Sequence, residues 1–137
     1  MPAITGIAHV ELSVRDLDAS EAWYIALLGL RRVHDGRNDD RGLRDRALYD
    51  PESRIVLALT EHRANPGDAF DARRSGLDHL AFAVAGREAL RAWQQRLADL
   101  GAEYTPMEER PGGAALTVRD PDGIVLEFIA RDAAAAE

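Results

Sequence analysis

Apolar and polar residues alternate over residues 7–14. Ala8, Val10, Leu12 and Val14 form one wholly apolar face, and Ile7, His9, Glu11 and Ser13 form the other. A period of two predicts a half-buried strand, with the apolar face under a helix and His9 and Glu11 on the open side. The period then changes. Ala19, Ala22, Trp23, Ala26 and Leu27 recur at three- and four-residue steps behind Asp16-Leu-Asp18, which predicts a helix with an acidic N-cap that ends near Gly29. A short strand over 31–34 comes next. Residues 35–45, of mixed charge and with two glycines, read as an exposed loop able to act as a lid. Residues 46–49 and 54–60 predict two strands joined by a turn at Asp50-Pro51-Glu52-Ser53.

After a linker over 63–75, marked by Asn65-Pro66-Gly67, the same order returns. Gly76-Leu-Asp-His-Leu-Ala-Phe-Ala-Val84 is a near copy of Gly6-Ile-Ala-His-Val-Glu-Leu-Ser-Val14, and Asp120-Pro121 follows Asp50-Pro51 at the same offset. A strand over 77–84 leads to a helix over 87–100, with Leu90, Trp93, Leu97 and Leu100 in one stripe and Gly101 as its stop. A short strand over 103–105, a Pro/Gly loop over 108–113, a strand over 114–118, a turn at Asp120-Pro121-Asp122-Gly123 and a last strand over 124–130 complete the copy. The alanine-rich stretch 131–137 reads as a tail. The chain is therefore expected to be one domain of the α+β class, built from two tandem β-α-β-β-β modules, 4–62 and 76–131. Neither half is expected to bury enough surface to stand alone.

Composition narrows the function. Twenty-four acidic against seventeen basic residues give a net charge of −7, which argues against a nucleic-acid partner, whose affinity comes from clustered cations. The absence of cysteine leaves only nitrogen and oxygen donors for any metal. No run of residues approaches membrane-spanning length, and Met1-Pro-Ala-Ile-Thr lacks the features of a signal peptide, so a cytoplasmic location without membrane association is expected.

The chemistry resides in matched positions. His9 and His79 occupy the same place in the two copies. In the last strand Glu127 shares a face with Val125 and Ile129, opposite the apolar Ile124, Leu126 and Phe128. Two imidazoles and a carboxylate suit a divalent Fe, Mn, Zn, Ni or Co ion and leave coordination positions free for a substrate.

The order of elements and the local words Gly6-Ile-Ala-His9, Val14-Arg-Asp16-Leu-Asp-Ala-Ser20, Trp23-Tyr24, Leu28-Gly29, Gly76-Leu-Asp-His79 and Asp120-Pro-Asp-Gly123-Ile-Val-Leu-Glu127 resemble the vicinal oxygen chelate superfamily. That superfamily includes glyoxalases, extradiol dioxygenases, fosfomycin-resistance transferases and bleomycin-resistance binding proteins. The resemblance covers about residues 4–131. It implies a cup-shaped mixed sheet with a metal on its concave side, His9, His79 and Glu127 as ligands, and a homodimer acting on a small molecule. It also places Ala58 where a fourth ligand usually stands, which counts against faithful glyoxalase I chemistry. Glu11 and His62 are then the candidate proton-transfer residues.

The expected function is a metal-dependent enzyme, of glyoxalase-like lyase or isomerase type or related chemistry, acting on an oxygen-chelating substrate. Two alternatives stand beside it. An Fe(II) extradiol dioxygenase would use His62, yet Thr117 occupies about the place of that group's tyrosine. A metal-free binding or resistance protein would use the cup as a groove, and that group usually lacks the histidine pair.

Overall fold

A computed structural model describes residues 1–133; the last residues of the alanine-rich tail, 134–137, lie outside the described residues. The chain divides into two compact units, Met1–Asp68 and Ala69–Glu137.

The first unit runs β1 (Val10–Ser13), α1 (Leu17–Leu28), β2 (Arg31–Asn38), β3 (Leu43–Tyr49) and β4 (Val56–His62). The strand order is β1-β4-β3-β2, with β1 parallel to β4 and the other pairs antiparallel. Asp16 caps α1 by accepting a hydrogen bond from the Ala19 amide, and Gly29 closes it in the left-handed conformation at φ 70°, which a residue lacking Cβ adopts without strain. Leu17, Tyr24 and Leu27 of the helix meet Leu12, Leu48, Leu57 and Leu59 of the sheet, all essentially excluded from solvent. Burial of each such side chain is worth about 1.5–3 kcal/mol.

The second unit repeats this order with β5 (Leu80–Ala83), α2 (Arg87–Asp99), β6 (Tyr104–Arg110), β7 (Gly113–Arg119) and β8 (Val125–Arg131), its sheet ordered β5-β8-β7-β6. Trp93 of α2 stacks on Phe128 of β8 at 4.3 Å between ring centroids. Before β8 the Asp120 carboxylate accepts from the amides of Asp122 and Ile124, and Gly123 turns the chain at φ 85°. Two four-stranded mixed sheets, each with one helix, place the protein in the α+β class. Among the described residues no helix is long and apolar enough to cross a membrane.

Three expectations are corrected. Residues 35–45 are not one exposed loop: β2 continues to Asn38 and β3 begins at Leu43, so only a tight turn remains. In place of apolar alternation this stretch carries paired charges, Asp35 against Arg32 and Arg46 and Arg44 against Asp18 and Glu61. The Pro/Gly loop over 108–113 likewise shrinks to a turn, because β6 runs on to Arg110. Finally, the two histidine-bearing strands are shorter than the alternation predicts. They begin at Val10 and Leu80, so His9 and His79 each stand one residue before their strand.

Candidate functional site

In each unit the helix covers one face of the sheet and leaves the other open. On β4, Leu57 and Leu59 face α1 and the Glu61 carboxylate accepts from the Leu17 amide at the start of that helix, so Val56, Ala58, Thr60 and His62 take the opposite face. Glu11 and Ser13 on β1 and Leu43 and Asp45 on β3 share that side.

Seven residues of the first unit line an open cavity of about 460 Å³. Glu11, Thr60 and His62 stand on one flank, Leu43 and Asp45 on the other; Ser13 and Arg41 complete the wall. The Thr60 hydroxyl donates to the Glu11 carboxylate, and Asp45 is the register partner of Thr60. Asp45 also holds His34 of β2, with Nε2 at 3.0 Å from Oδ2. This contact passes over Gly36: a Cβ there would stand 2.6 Å from the His34 ring nitrogen and 2.7 Å from the Asp45 carboxylate. The two residues predicted for proton transfer, Glu11 and His62, therefore line one cavity.

The second unit joins two of the predicted ligands. His79 Nε2 lies 3.6 Å from Glu127 Oε2. Donors about 2.1 Å from one ion, at angles between octahedral and tetrahedral, stand roughly 3.0–3.5 Å apart, so the pair has nearly the spacing of neighbouring ligands. The Asp78 carboxylate contacts His79 Nδ1 at 2.6 Å. Such a contact orients the imidazole so that Nε2 faces Glu127, as in carboxylate–histidine–metal arrangements. Glu127 is buried despite its charge, and its other oxygen accepts from Arg110 at 3.0 Å. The donor chemistry fits a divalent ion at this pair. His9 belongs to the first unit and is exposed, and among the described residues no three His, Asp or Glu side chains form a metal-binding group.

Asp78, Arg110, Arg41 and Asp45 were not singled out by sequence. Asp78 lay inside the repeat word and was available as a signal, whereas the other three fell in stretches that read as loops.

The two units carry their acid on opposite strands. Glu11 on β1 is the register partner of Ala58 on β4, while Ala81 on β5 is the register partner of Glu127 on β8.

A family model described as "Glyoxalase/Bleomycin resistance protein/Dioxygenase superfamily" matches residues 6–128. The crystal structure of a glyoxylase/bleomycin resistance protein/dioxygenase domain from Frankia sp. EAN1pec is 38% identical, with a TM-score of 0.87 over 95% of this chain and 100% of that one. "Putative ring-cleaving dioxygenase MhqA" of Bacillus subtilis is 25% identical over 121 residues, 88% of this chain, but this chain spans only 38% of that relative's length. The fosfomycin resistance protein FosX of Listeria monocytogenes, in complex with Mn(II) and sulfate, is 19% identical with a TM-score of 0.69 over 96% of this chain and 97% of that one, a likeness of fold.

Proposed function

The chain belongs to the glyoxalase/bleomycin resistance protein/dioxygenase superfamily, and from that premise we propose that it is a divalent-metal-dependent enzyme acting on a small substrate with two neighbouring oxygens. The observation that carries this reading is the 3.6 Å approach of His79 Nε2 to Glu127 Oε2, with Asp78 fixing the imidazole. His79 and Glu127 hold the ion, and His9 is the third ligand. A bound divalent ion supplies Lewis acidity, which stabilises negative charge developing on the chelating oxygens.

The remaining work falls to the protein's own side chains. Arg110 holds the second oxygen of Glu127 and so orients the carboxylate. Glu11 is the proton acceptor: its carboxylate is steered by the Thr60 hydroxyl and stands at the level where Ala58 offers none. His62, on the same cavity wall, is the second proton-transfer group.

A homodimer is part of the proposal, with His9 reaching the site of a second copy. Two features support it. No three-ligand group forms among the described residues, and Ile4 and Ile7, which precede the sheet-edge strand β1, are 92% and 85% exposed. Such apolar side chains beside an open edge suit pairing with another chain.

Elemental analysis of the protein purified from metal-supplemented culture is the test. Stoichiometric metal is expected in the wild type and not in His79→Ala or Glu127→Ala; metal retained in His79→Ala would remove the site. The likeness to MhqA favours the Fe(II) dioxygenase as the second reading, and catechol-dependent oxygen uptake after anaerobic iron loading separates the two.

A further inference from the structure

The cavity on the open face of the first sheet has a composition that restricts what it can hold. Of its lining side chains only Leu43 is apolar. Small-molecule pockets that take rings or alkyl chains are walled mainly by apolar and aromatic groups. A bare aromatic ring would find no such wall here.

The polar groups are only partly used. Glu11 spends one carboxylate oxygen on the Thr60 hydroxyl, and Asp45 spends Oδ2 on His34. Each keeps a second oxygen that can only accept, and a ligand must bring hydroxyl or amine hydrogens to meet it. Arg41 is the one permanent cation of the lining, and among the described residues its guanidinium has no ion pair; only its backbone amide is engaged, by Asn38. A free planar fork of this kind matches a single carboxylate bidentately. The Ser13 hydroxyl and the His62 ring are likewise without a partner among the described residues. Two carboxylates in the wall oppose a second negative charge on the ligand.

We propose that this cavity binds the polyhydroxylated, singly anionic end of the substrate, as in a sugar acid: its carboxylate on Arg41 and its hydroxyls on Glu11, Asp45 and Ser13. The inference rests on the proposed function only in making this cavity the substrate's seat. Binding itself requires no metal.

The probe is gluconate, added to chelator-treated, isotope-labelled protein and followed by amide NMR, with catechol as the aromatic control. Gluconate is expected to shift amides of β1, β3 and β4 around Glu11, Asp45 and Thr60, and catechol to leave them unmoved. Arg41→Ala and Asp45→Asn, each checked for an intact amide spectrum, are expected to weaken gluconate about tenfold. Binding is expected to persist in His79→Ala and Glu127→Ala, which separates the cavity from the metal. No gluconate shift at these amides, unchanged affinity in Arg41→Ala, or tighter binding of catechol at the same amides would overturn the proposal, whether or not the metal site exists.

Discussion

Glu11 and Ala58 are neighbours in the parallel ladder of β1 and β4, with their side chains on the same open face. Their counterparts Ala81 and Glu127 hold the reverse order in the second unit. Each strand pair thus carries one carboxylate at this level. The vacancy at Ala58 belongs to an exchange of acid and alanine between strands, which keeps two like charges from standing side by side.

Ala58→Glu breaks that arrangement by placing a second carboxylate beside Glu11. Like charges in register destabilise a sheet by up to about 1 kcal/mol, and their repulsion raises the pKa of one of the pair. A raised carboxyl pKa makes the penalty full above the folded value and removes it as pH falls below the unfolded one. Urea unfolding is therefore expected to show a loss for Ala58→Glu at neutral pH that fades toward about pH 4, and Glu11→Ala/Ala58→Glu should recover it. A loss identical with and without Glu11 would point to steric crowding instead.

Glu21 is buried between two arginines, accepting from Arg46 at 2.7 Å and from Arg32 at 2.5 and 2.8 Å. Arg46 is buried as well and reaches Asp18 at 2.6 Å, while its Nε has no hydrogen-bond partner among the described residues. Removal of one member of a buried ion pair costs about 3 kcal/mol where it leaves the other uncompensated, and here Asp18 still pairs with Arg46. Glu21→Ala is expected to lose up to about 3 kcal/mol of unfolding free energy. Because exchange of both members for apolar groups is often close to neutral, Glu21→Leu/Arg46→Met should lose less than Glu21→Ala alone.

The same charged network explains which parts of the fold were legible from sequence. Strands with an apolar face, such as β4 with Leu57 and Leu59, declare themselves by alternation, and both helices do so by their stripe or caps. The hairpin of β2 and β3 does so only at its ends, 31–34 and 46–49, because its middle carries paired charges, Asp35 against Arg46 and Arg44 against Asp18 and Glu61, where apolar residues usually pack. Residues 35–45 read as a loop, and Asp45 and Arg41 went unnoticed with them. Arg110 was hidden in the same way by a Pro/Gly stretch that proved to be the end of β6 and a turn. His9, His79 and Glu127 were visible through the internal repeat. Repetition specifies the place of a residue in its own unit and leaves no mark of what that residue meets outside it.

Asp78 should matter to metal affinity without being a ligand. Its carboxylate fixes His79 through Nδ1, and loss of such a partner typically weakens metal binding about 10- to 100-fold. Asp78→Asn is expected to lower affinity in a competition titration with a chromophoric chelator and to retain metal at saturation. Unchanged affinity would show that the contact is incidental.

Acid should loosen the turn between β3 and β4. The Ser53 hydroxyl, donating at 2.6 Å, and the Ser53 amide hold the Asp50 carboxyl below its ordinary value of 3.8. A depressed carboxyl contributes stability that is present above the unfolded value and is lost as pH falls through the folded one. Urea midpoints measured from about pH 5 to about pH 2 are expected to fall less steeply in Asp50→Asn than in the wild type, since asparagine accepts the same bonds without titrating. Equal slopes would assign the acid response to other groups, such as Glu109, lowered by its bond from Arg87.

Two glycines separate by what stands in front of them. A Cβ at Gly113 would lie 2.0 Å from the Ala130 carbonyl oxygen, a backbone atom of the neighbouring strand β8. The ladder has to move to admit it, and overpacking against main chain costs about 3 kcal/mol or more. A Cβ at Gly36 meets only the ends of His34 and Asp45, and the His34 side chain, 56% exposed, can swing away. Gly113→Ala is therefore expected to destabilise strongly in urea unfolding and Gly36→Ala by about 1 kcal/mol or less. Gly36→Ala should also free Asp45 from His34, which loss of contacts between the two side chains in NMR would reveal. Comparable losses at the two glycines would mean that the His34–Asp45 contact is held far more rigidly than its exposure implies.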